Sequence, residues 1–540
     1  MKKSIIYYIL VAIVWIDLLY PLTLFAQDKV TIQNTNSQTT VEPPLGGRAP
    51  IVLPDLGDTS AGDMSGLDEN KLGERIMREI RKDPDYVTNW LMYDYINQLG
   101  RELVVSARRE KISGSEQTGP FPPKFEFFYV RDSSINAFAL PGGYIGMHTG
   151  LMVLADNEGQ LSSVLGHEIG HVTQKHIARG SGVSSKSGVV ILASLLLALV
   201  AARSNPGAAG GLAIGGQALA IQNQLAYSRD AEREADRVGY QILNATGFDV
   251  NGMPEFFQKL QKSSGMMDSG APAYLRTHPL TTDRIADMQD RARNDVNKNR
   301  AVKNSLDFYL NQTMAKLEQQ GQGSDLLLTK EYFQNQANQT SSIRKMQGQF
   351  GLSLIALREN KPDEAEKLLQ KSKEFSMQIN ASQVSPRSTF VFDLTFAQIA
   401  LQKKNFTATQ NAALQVMKTY PSSKAAGVLL VQAYYAGGKN AEGIAWLVQK
   451  TKAQKDDVTW WNLLAQGYAQ SNQPSRYHAA IAERYASEGA LPAAIQQLNI
   501  AQQEGTKDFY ELSEIEARRR QLEFLYIEEL KDNGRLPKGN

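Results

Sequence analysis

The chain has 540 residues, 42% of them hydrophobic, a net charge of +2 from 58 basic and 56 acidic side chains, and no cysteine. That balance carries no electrostatic footprint for nucleic acid, and the lack of cysteine excludes a disulfide scaffold, a thiol enzyme and a cysteine-anchored lipoprotein. The length suggests two or three domains with enough apolar content to bury a core.

The N-terminus reads as an export signal over residues 1–26. Lys2 and Lys3 precede an apolar run from Ile5 to Leu19, and "YPLTLFA" offers cleavage after Ala26. Asp17 and Pro21 interrupt the run; the alternative is an uncleaved membrane anchor. Residues 27–71, rich in Thr, Pro, Gly, Asp and Asn, are expected to be extended or disordered. Helical pattern begins near Leu72. "KFEFFYVRDSSINAFALPGG" predicts a strand, a turn and a second strand closing at Gly142-Gly143.

Three of the six histidines crowd into "LGHEIGHVTQKH", Leu165 to His176. On a helix His167 and His171 share one face, with Glu168 beside them. This is the HExxH arrangement, in which two imidazoles bind zinc and the glutamate is general base on water. Nine residues on, His176 falls on the opposite face of such a helix and is not a candidate ligand. A third ligand is offered by "SRDAEREADRVG". Glu232 and Asp236 lie four apart on one face, while Glu234 points away. Glu232 completes a His₂Glu set with a fourth position open, and Asp236 can accept the spare N–H of a ligating imidazole.

With these residues the sequence resembles the HtpX/BepA-type zinc metallopeptidases of the gluzincin clan. "HEIGH", "SRDAEREAD", "INAFALPGGYI", "HVTQKHIARG" and "RTHPLTTDR" carry the likeness, over about Leu72 to Arg293. The resemblance implies a periplasmic endopeptidase of a Gram-negative bacterium, associated with the outer membrane, that binds one Zn²⁺. Its implied role is quality control of outer-membrane protein assembly. Unfolded or misassembled outer-membrane proteins would be the substrates, and a repeat domain would meet the assembly machinery. It also favours Asn136, Ala137 and Phe138 as part of an edge strand that an extended substrate joins, over an ordinary hairpin strand.

Between the two metal-binding helices, residues 189–221 are apolar and glycine-rich. Residues 189–202 are too few to cross a bilayer, which needs about 20. A buried helical hairpin is expected, the alternative being peripheral contact with a membrane surface. His278, in "RTHPL", follows a glycine-rich stretch with the composition of a mobile loop. It is a candidate fourth ligand that holds the enzyme latent, a candidate oxyanion donor, or a plain loop residue.

The C-terminal half repeats helix pairs. Lys404, Gly438 and Asn472 occupy equivalent turns 34 residues apart, the tetratricopeptide period. Asn360 and Gly489 mark further, irregular turns. The expected organisation is an α+β zincin-type peptidase domain (72–300), mostly helical with a small sheet, a helical connector (301–345) and an all-α repeat solenoid (346–540). The repeats carry no candidate catalytic group, so cleavage of a short peptide is expected not to need them. The alternative function is a chaperone or adaptor scaffold with a vestigial peptidase.

Overall fold

The computed structural model describes residues 65–116, 121–180, 228–266, 272–296, 303–319, 324–380, 384, 389–505 and 508–532. The export signal, most of segment 27–71 and the whole of 189–221 lie outside the described residues. Among those described, no helix is long and apolar enough to cross a membrane.

The first helix, α1 (Gly66–Ile80), starts earlier than the expected Leu72. Ser65 caps it by accepting from Asp68 N at 3.2 Å, so 66–71 is helical rather than extended. Its buried stripe of Leu72, Ile76, Met77 and Ile80 packs with Phe128, Leu140 and Tyr144 of the sheet. Next comes α2 (Trp90–Arg109), capped by Asn89. The sheet consists of β1 (Glu126–Val130), β2 (Ala137–Leu140) and β3 (Tyr144–His148) in the order β1-β3-β2. The expected two strands are therefore joined by a third, and it lies in the middle. β3 is parallel to β1 and antiparallel to β2. Every residue of "YIGMH" is buried, so the alternation that marks a half-exposed strand is missing. The turn from β2 to β3 uses Gly142 and Gly143 at φ of 79° and 93°, a region that side chains disfavour. Among the described residues β2 is an edge strand.

A short helix, α3 (Thr149–Leu154), separates the sheet from the HExxH helix, α4 (Glu158–Thr173). Then follow α5 (His176–Gly180), α6 (Arg229–Thr246), α7 (Gly252–Met266), α8 (Ala273–Thr277) and α9 (Thr282–Asn294).

The remaining described chain is helical: α10 (Leu306–Gln319), α11 (Ser324–Ala337), α12 (Ser342–Arg358), α13 (Pro362–Met377), α14 (Phe390–Gln402) and α15 (Phe406–Thr419). It continues with α16 (Lys424–Ala436), α17 (Asn440–Ala453), α18 (Val458–Gln470), α19 (Pro474–Ser487), α20 (Leu491–Gln503) and α21 (Phe509–Asp532). Asn360, Lys404, Gly438, Asn472 and Gly489 all adopt positive φ, between 53° and 78°. Each ends one helix with a left-handed residue before the next begins. The expected fold class stands: a mainly helical unit with a small sheet, followed by helical repeats.

One hydrophobic core spans both regions. It runs from Val87 on the sheet side through Met314, Phe350 and Leu394 to Tyr434. α10, in the stretch expected as a connector, inserts Leu306, Phe308, Leu310 and Met314 into that core. Its lead-in is tied to the start of α4, where the buried Glu158 carboxylate accepts from Ser305 N at 2.7 Å and Ser305 Oγ at 2.9 Å.

Candidate metal centre

The site forms where α4 crosses α6 at unusually short range. Gly166 and Gly170 of α4 face Ala235 and Gly239 of α6. A Cβ on Gly239 would lie 2.8 Å from His167 N, and one on Gly170 would lie 3.0 Å from Ala235 O. Both helices repeat every four residues at the crossing, so the neighbouring pairs His167/His171 and Glu232/Asp236 are brought edge to edge.

Their donor atoms converge. His167 Nε2 and His171 Nε2 are 3.0 Å apart. Glu232 Oε1 is 3.4 Å from His171 Nε2, and Oε2 is 3.6 Å from His167 Nε2. His278 Nδ1 lies 3.0 Å from Glu232 Oε1 and 3.4 Å from His167 Nε2. All four side chains are buried, and together they make a group able to hold a metal ion. Ligands 2.0–2.1 Å from a tetrahedral ion stand about 3.3 Å from one another, so the spacing and the nitrogen and carboxylate chemistry suit zinc.

The supports differ from one histidine to the other. Asp236 Oδ1 is 2.9 Å from His167 Nδ1. Arg284 holds Asp236 in a fork, Nε to Oδ2 at 2.7 Å and Nη2 to Oδ1 at 2.8 Å, and reaches Glu232 Oε2 with Nη1 at 2.7 Å. Burial opposes the charge on Asp236, but Arg284 and His167 outweigh it and hold the carboxyl below its usual range. Arg284 lies in "RTHPLTTDR" yet has no ligand chemistry of its own, so spacing alone does not single it out.

His171 has a different partner. His176 Nδ1 sits 2.9 Å from His171 Nδ1, and His176 Nε2 sits 2.9 Å from Glu234 Oε2. Sequence spacing sets His176 on the far face of one continuous helix. Instead α4 stops at Thr173, Lys175 takes a φ of 53°, and α5 starts at His176, which turns the ring back under His171. Glu234 does point away from Glu232, and that direction takes it to His176.

Glu168 is buried beside the donor group, its Oε1 3.6 Å from His278 Nε2. Burial pushes its carboxyl up, with His278 and His167 pulling the other way. His278 is the residue just after α8. Its N–H bonds to Tyr274 O at 2.8 Å, and its ring stacks on Tyr274 with centroids 4.6 Å apart. The mobile loop expected upstream falls partly on 267–271, outside the described residues. Its described parts are 262–266, which is the helical end of α7 rather than loop, and 272–278, where Tyr274 N donates at 3.1 Å to Ile135 O, just before β2.

That bond sets the His278 segment next to the start of β2, where Asn136, Ala137 and Phe138 lie. Ala137 is buried in the main core. Asn136 O accepts from His148 N at 2.9 Å, and Asn136 Nδ2 is 3.5 Å from His148 Nε2. Burial pushes His148 down to about 4, so its ring is neutral at ordinary pH. Among the described residues no strand pairs with the other edge of β2.

The profile of peptidase family M48 matches residues 103–292, which contain every residue of this centre. The beta-barrel assembly-enhancing protease of Escherichia coli (strain K12) is 33% identical over 453 residues, 83% of this chain and 86% of that one. The chain belongs to peptidase family M48. The likeness seen in the sequence is thereby borne out, and the chain is a metalloendopeptidase. A putative beta-barrel assembly-enhancing protease of Vibrio cholerae is 35% identical over 328 residues, 61% of this chain and 64% of its own length. More distantly, the mitochondrial metalloendopeptidase OMA1 of Arabidopsis thaliana is 28% identical over 231 residues, 42% of this chain and 44% of that protein.

Proposed function

We propose that this M48 peptidase is a periplasmic zinc endopeptidase that cleaves unfolded or misassembled outer-membrane proteins. In this reading the repeat helices hold the client or the assembly machinery. The observation that carries it is the convergence of His167 Nε2, His171 Nε2 and the Glu232 carboxylate on one buried point, with Glu168 alongside. The client class is taken from the relatives named for β-barrel assembly.

His167, His171 and Glu232 would hold the ion. Zinc there would supply Lewis acidity, making a water acidic enough to lose a proton near pH 7 and polarising a carbonyl. Asp236 accepts a hydrogen bond from Nδ1–H of His167, which keeps the proton on Nδ1 and the Nε2 lone pair turned inward. Glu168 takes the proton of the attacking water and returns it to the departing amine. Its burial suits that role, because a carboxyl raised from its usual value is a better proton carrier near neutrality. The substrate lies extended along the free edge of β2 beside Asn136, Ala137 and Phe138, with backbone hydrogen bonds supplying register. His278 occupies the fourth place in the donor group, where water must bind for hydrolysis. It therefore acts as a latch that a client or partner displaces, rather than as an oxyanion donor.

A vestigial peptidase on a scaffold has no observation in its favour, since the whole donor set and Glu168 are present. The test compares an unfolded outer-membrane β-barrel with a soluble unfolded protein as substrates. Phenanthroline should stop cleavage and added zinc should restore it, with the β-barrel preferred. Cleavage that survives full removal of metal would refute the reading.

A further inference from the structure

We propose that His176 is a positioning residue of the metal centre: it orients His171 through a ring-to-ring hydrogen bond that Glu234 fixes. The proposal rests on the reading above, in which His171 binds the ion through Nε2. Proton placement then leaves no free choice. A neutral imidazole carries one proton. With the Nε2 lone pair of His171 turned to the ion, that proton sits on Nδ1 and is donated to His176 Nδ1, 2.9 Å away. His176 Nδ1 must accept, so its own proton sits on Nε2. That nitrogen faces Glu234 Oε2 at 2.9 Å, an atom that can only accept. Arg179 Nη1 lies 3.3 Å from the same oxygen and donates to it, which helps to hold it in place.

The two histidine ligands are thus held by unlike devices. His167 reaches a carboxylate directly, whereas His171 reaches one through a second imidazole. His176 is buried, and Glu234 is 41% exposed, so the chain of hydrogen bonds runs from the ion to the surface. It also crosses between elements. His176 opens α5 and Glu234 lies on α6, so the bond holds the turn after α4 against the helix that carries Glu232. Packing alone would require only a ring of the right size at 176. The matched donors and acceptors require a histidine or another acceptor.

The experiment uses the full-length protein. Zinc affinity is measured by competition with a chromophoric chelator for wild type, His176→Ala, His176→Asn and His171→Ala. The visible spectrum of the cobalt(II)-substituted proteins is recorded alongside, and thermal unfolding of the metal-stripped proteins serves as the fold control. His176→Ala is expected to weaken zinc by about 10- to 100-fold and to shift the cobalt(II) bands. In His176→Asn the side-chain oxygen sits near the lost Nδ1 and can accept from His171, so most of the affinity returns. Zinc affinity within about twofold of wild type in His176→Ala, with binding lost in His171→Ala, would overturn the positioning role and leave the ligand assignment intact. Equal weakening in the Ala and Asn variants, matched by equal loss of heat stability without metal, would also overturn it, in favour of a packing role. Retention of zinc by His171→Ala would remove the ligand assignment itself, and the proposal with it.

Discussion

Glu232 and Asp236 put two carboxylates, each 1% exposed, side by side on α6, and the Arg284 guanidinium serves both. Removing one partner of a buried ion pair leaves an uncompensated charge, a loss of about 3–5 kcal/mol. Arg284→Ala should therefore lower the thermal midpoint sharply in metal-stripped protein. Bound zinc should recover part of the loss, because a dication also neutralises Glu232. Arg284→Lys should not rescue it, since an ammonium cannot fork onto Asp236 while reaching Glu232; full stability in the Lys variant would show that charge alone matters. His278 gives a second prediction at this scale. If it is a latch, His278→Ala hydrolyses a short peptide faster than wild type at saturating zinc. A fall of about 100-fold would point instead to an oxyanion donor. Residues with ligand chemistry at helical spacing are legible in the amino-acid sequence: His167, Glu168, His171, Glu232 and Asp236. The roles of His176 and Arg284 are not, because they depend on a break in α4 and on the approach of α9, and neither leaves a local periodic signal.

At the scale of elements, the centre depends on how closely α4 and α6 approach. Gly239→Ala would drive a methyl to 2.8 Å from His167 N, and a backbone atom cannot swing aside. The helices must separate, at a cost of about 1–3 kcal/mol from overpacking. Even a small misplacement of reacting groups can lower turnover about 100-fold. We expect near-normal helix content by circular dichroism, weaker zinc binding and strongly reduced turnover; unchanged turnover would mean that the crossing tolerates a wider gap. The repeats show which element signals survive in a sequence. Asn360, Lys404, Gly438, Asn472 and Gly489 stand out as turn residues, and all five adopt the left-handed conformation that ends a helix. The 44-residue first interval has most of its extra length between α13 and α14, residues 378–389. β3 escapes a sequence reading for the opposite reason: burial on both faces erases the alternation of a strand.

At the scale of the whole molecule, repeats and peptidase share one hydrophobic core. Asp94 of α2 caps the start of α16. It accepts from Ser423 Oγ at 2.6 Å, Lys424 N at 2.8 Å and Ala425 N at 3.0 Å. Lys424 Nζ sits 4.2 Å from the centre of the Trp90 ring and 2.8 Å from Asp457 Oδ2. Farther on, Gly489 lies against Arg78 of α1, and Lys124 pairs with Asp456 at 3.8 Å, so the repeat helices curl back onto the peptidase. Deleting residues 346–540 would strip Phe350, Leu354, Phe392 and Leu430 from the core that also holds Leu91 and Met314. The truncated protein should lose near-ultraviolet dichroism and cleave neither a short peptide nor a full-length client. Normal cleavage of the short peptide would show that the peptidase folds without its repeats. Asp94→Ala should be milder, loosening the α2–α16 contact by about 1–3 kcal/mol, seen as faster amide exchange in α16 with the zinc site intact.

In the proposed function Glu168 is the proton carrier beside an ion that His167, His171 and Glu232 would hold. Glu168→Gln keeps the size of the side chain and cannot take a proton. The decisive measurement is zinc content together with the cleavage rate of an unfolded outer-membrane β-barrel by this variant. We predict one zinc per chain, as in wild type, and no detectable cleavage. Cleavage near the wild-type rate, or loss of the zinc, would contradict the roles assigned here.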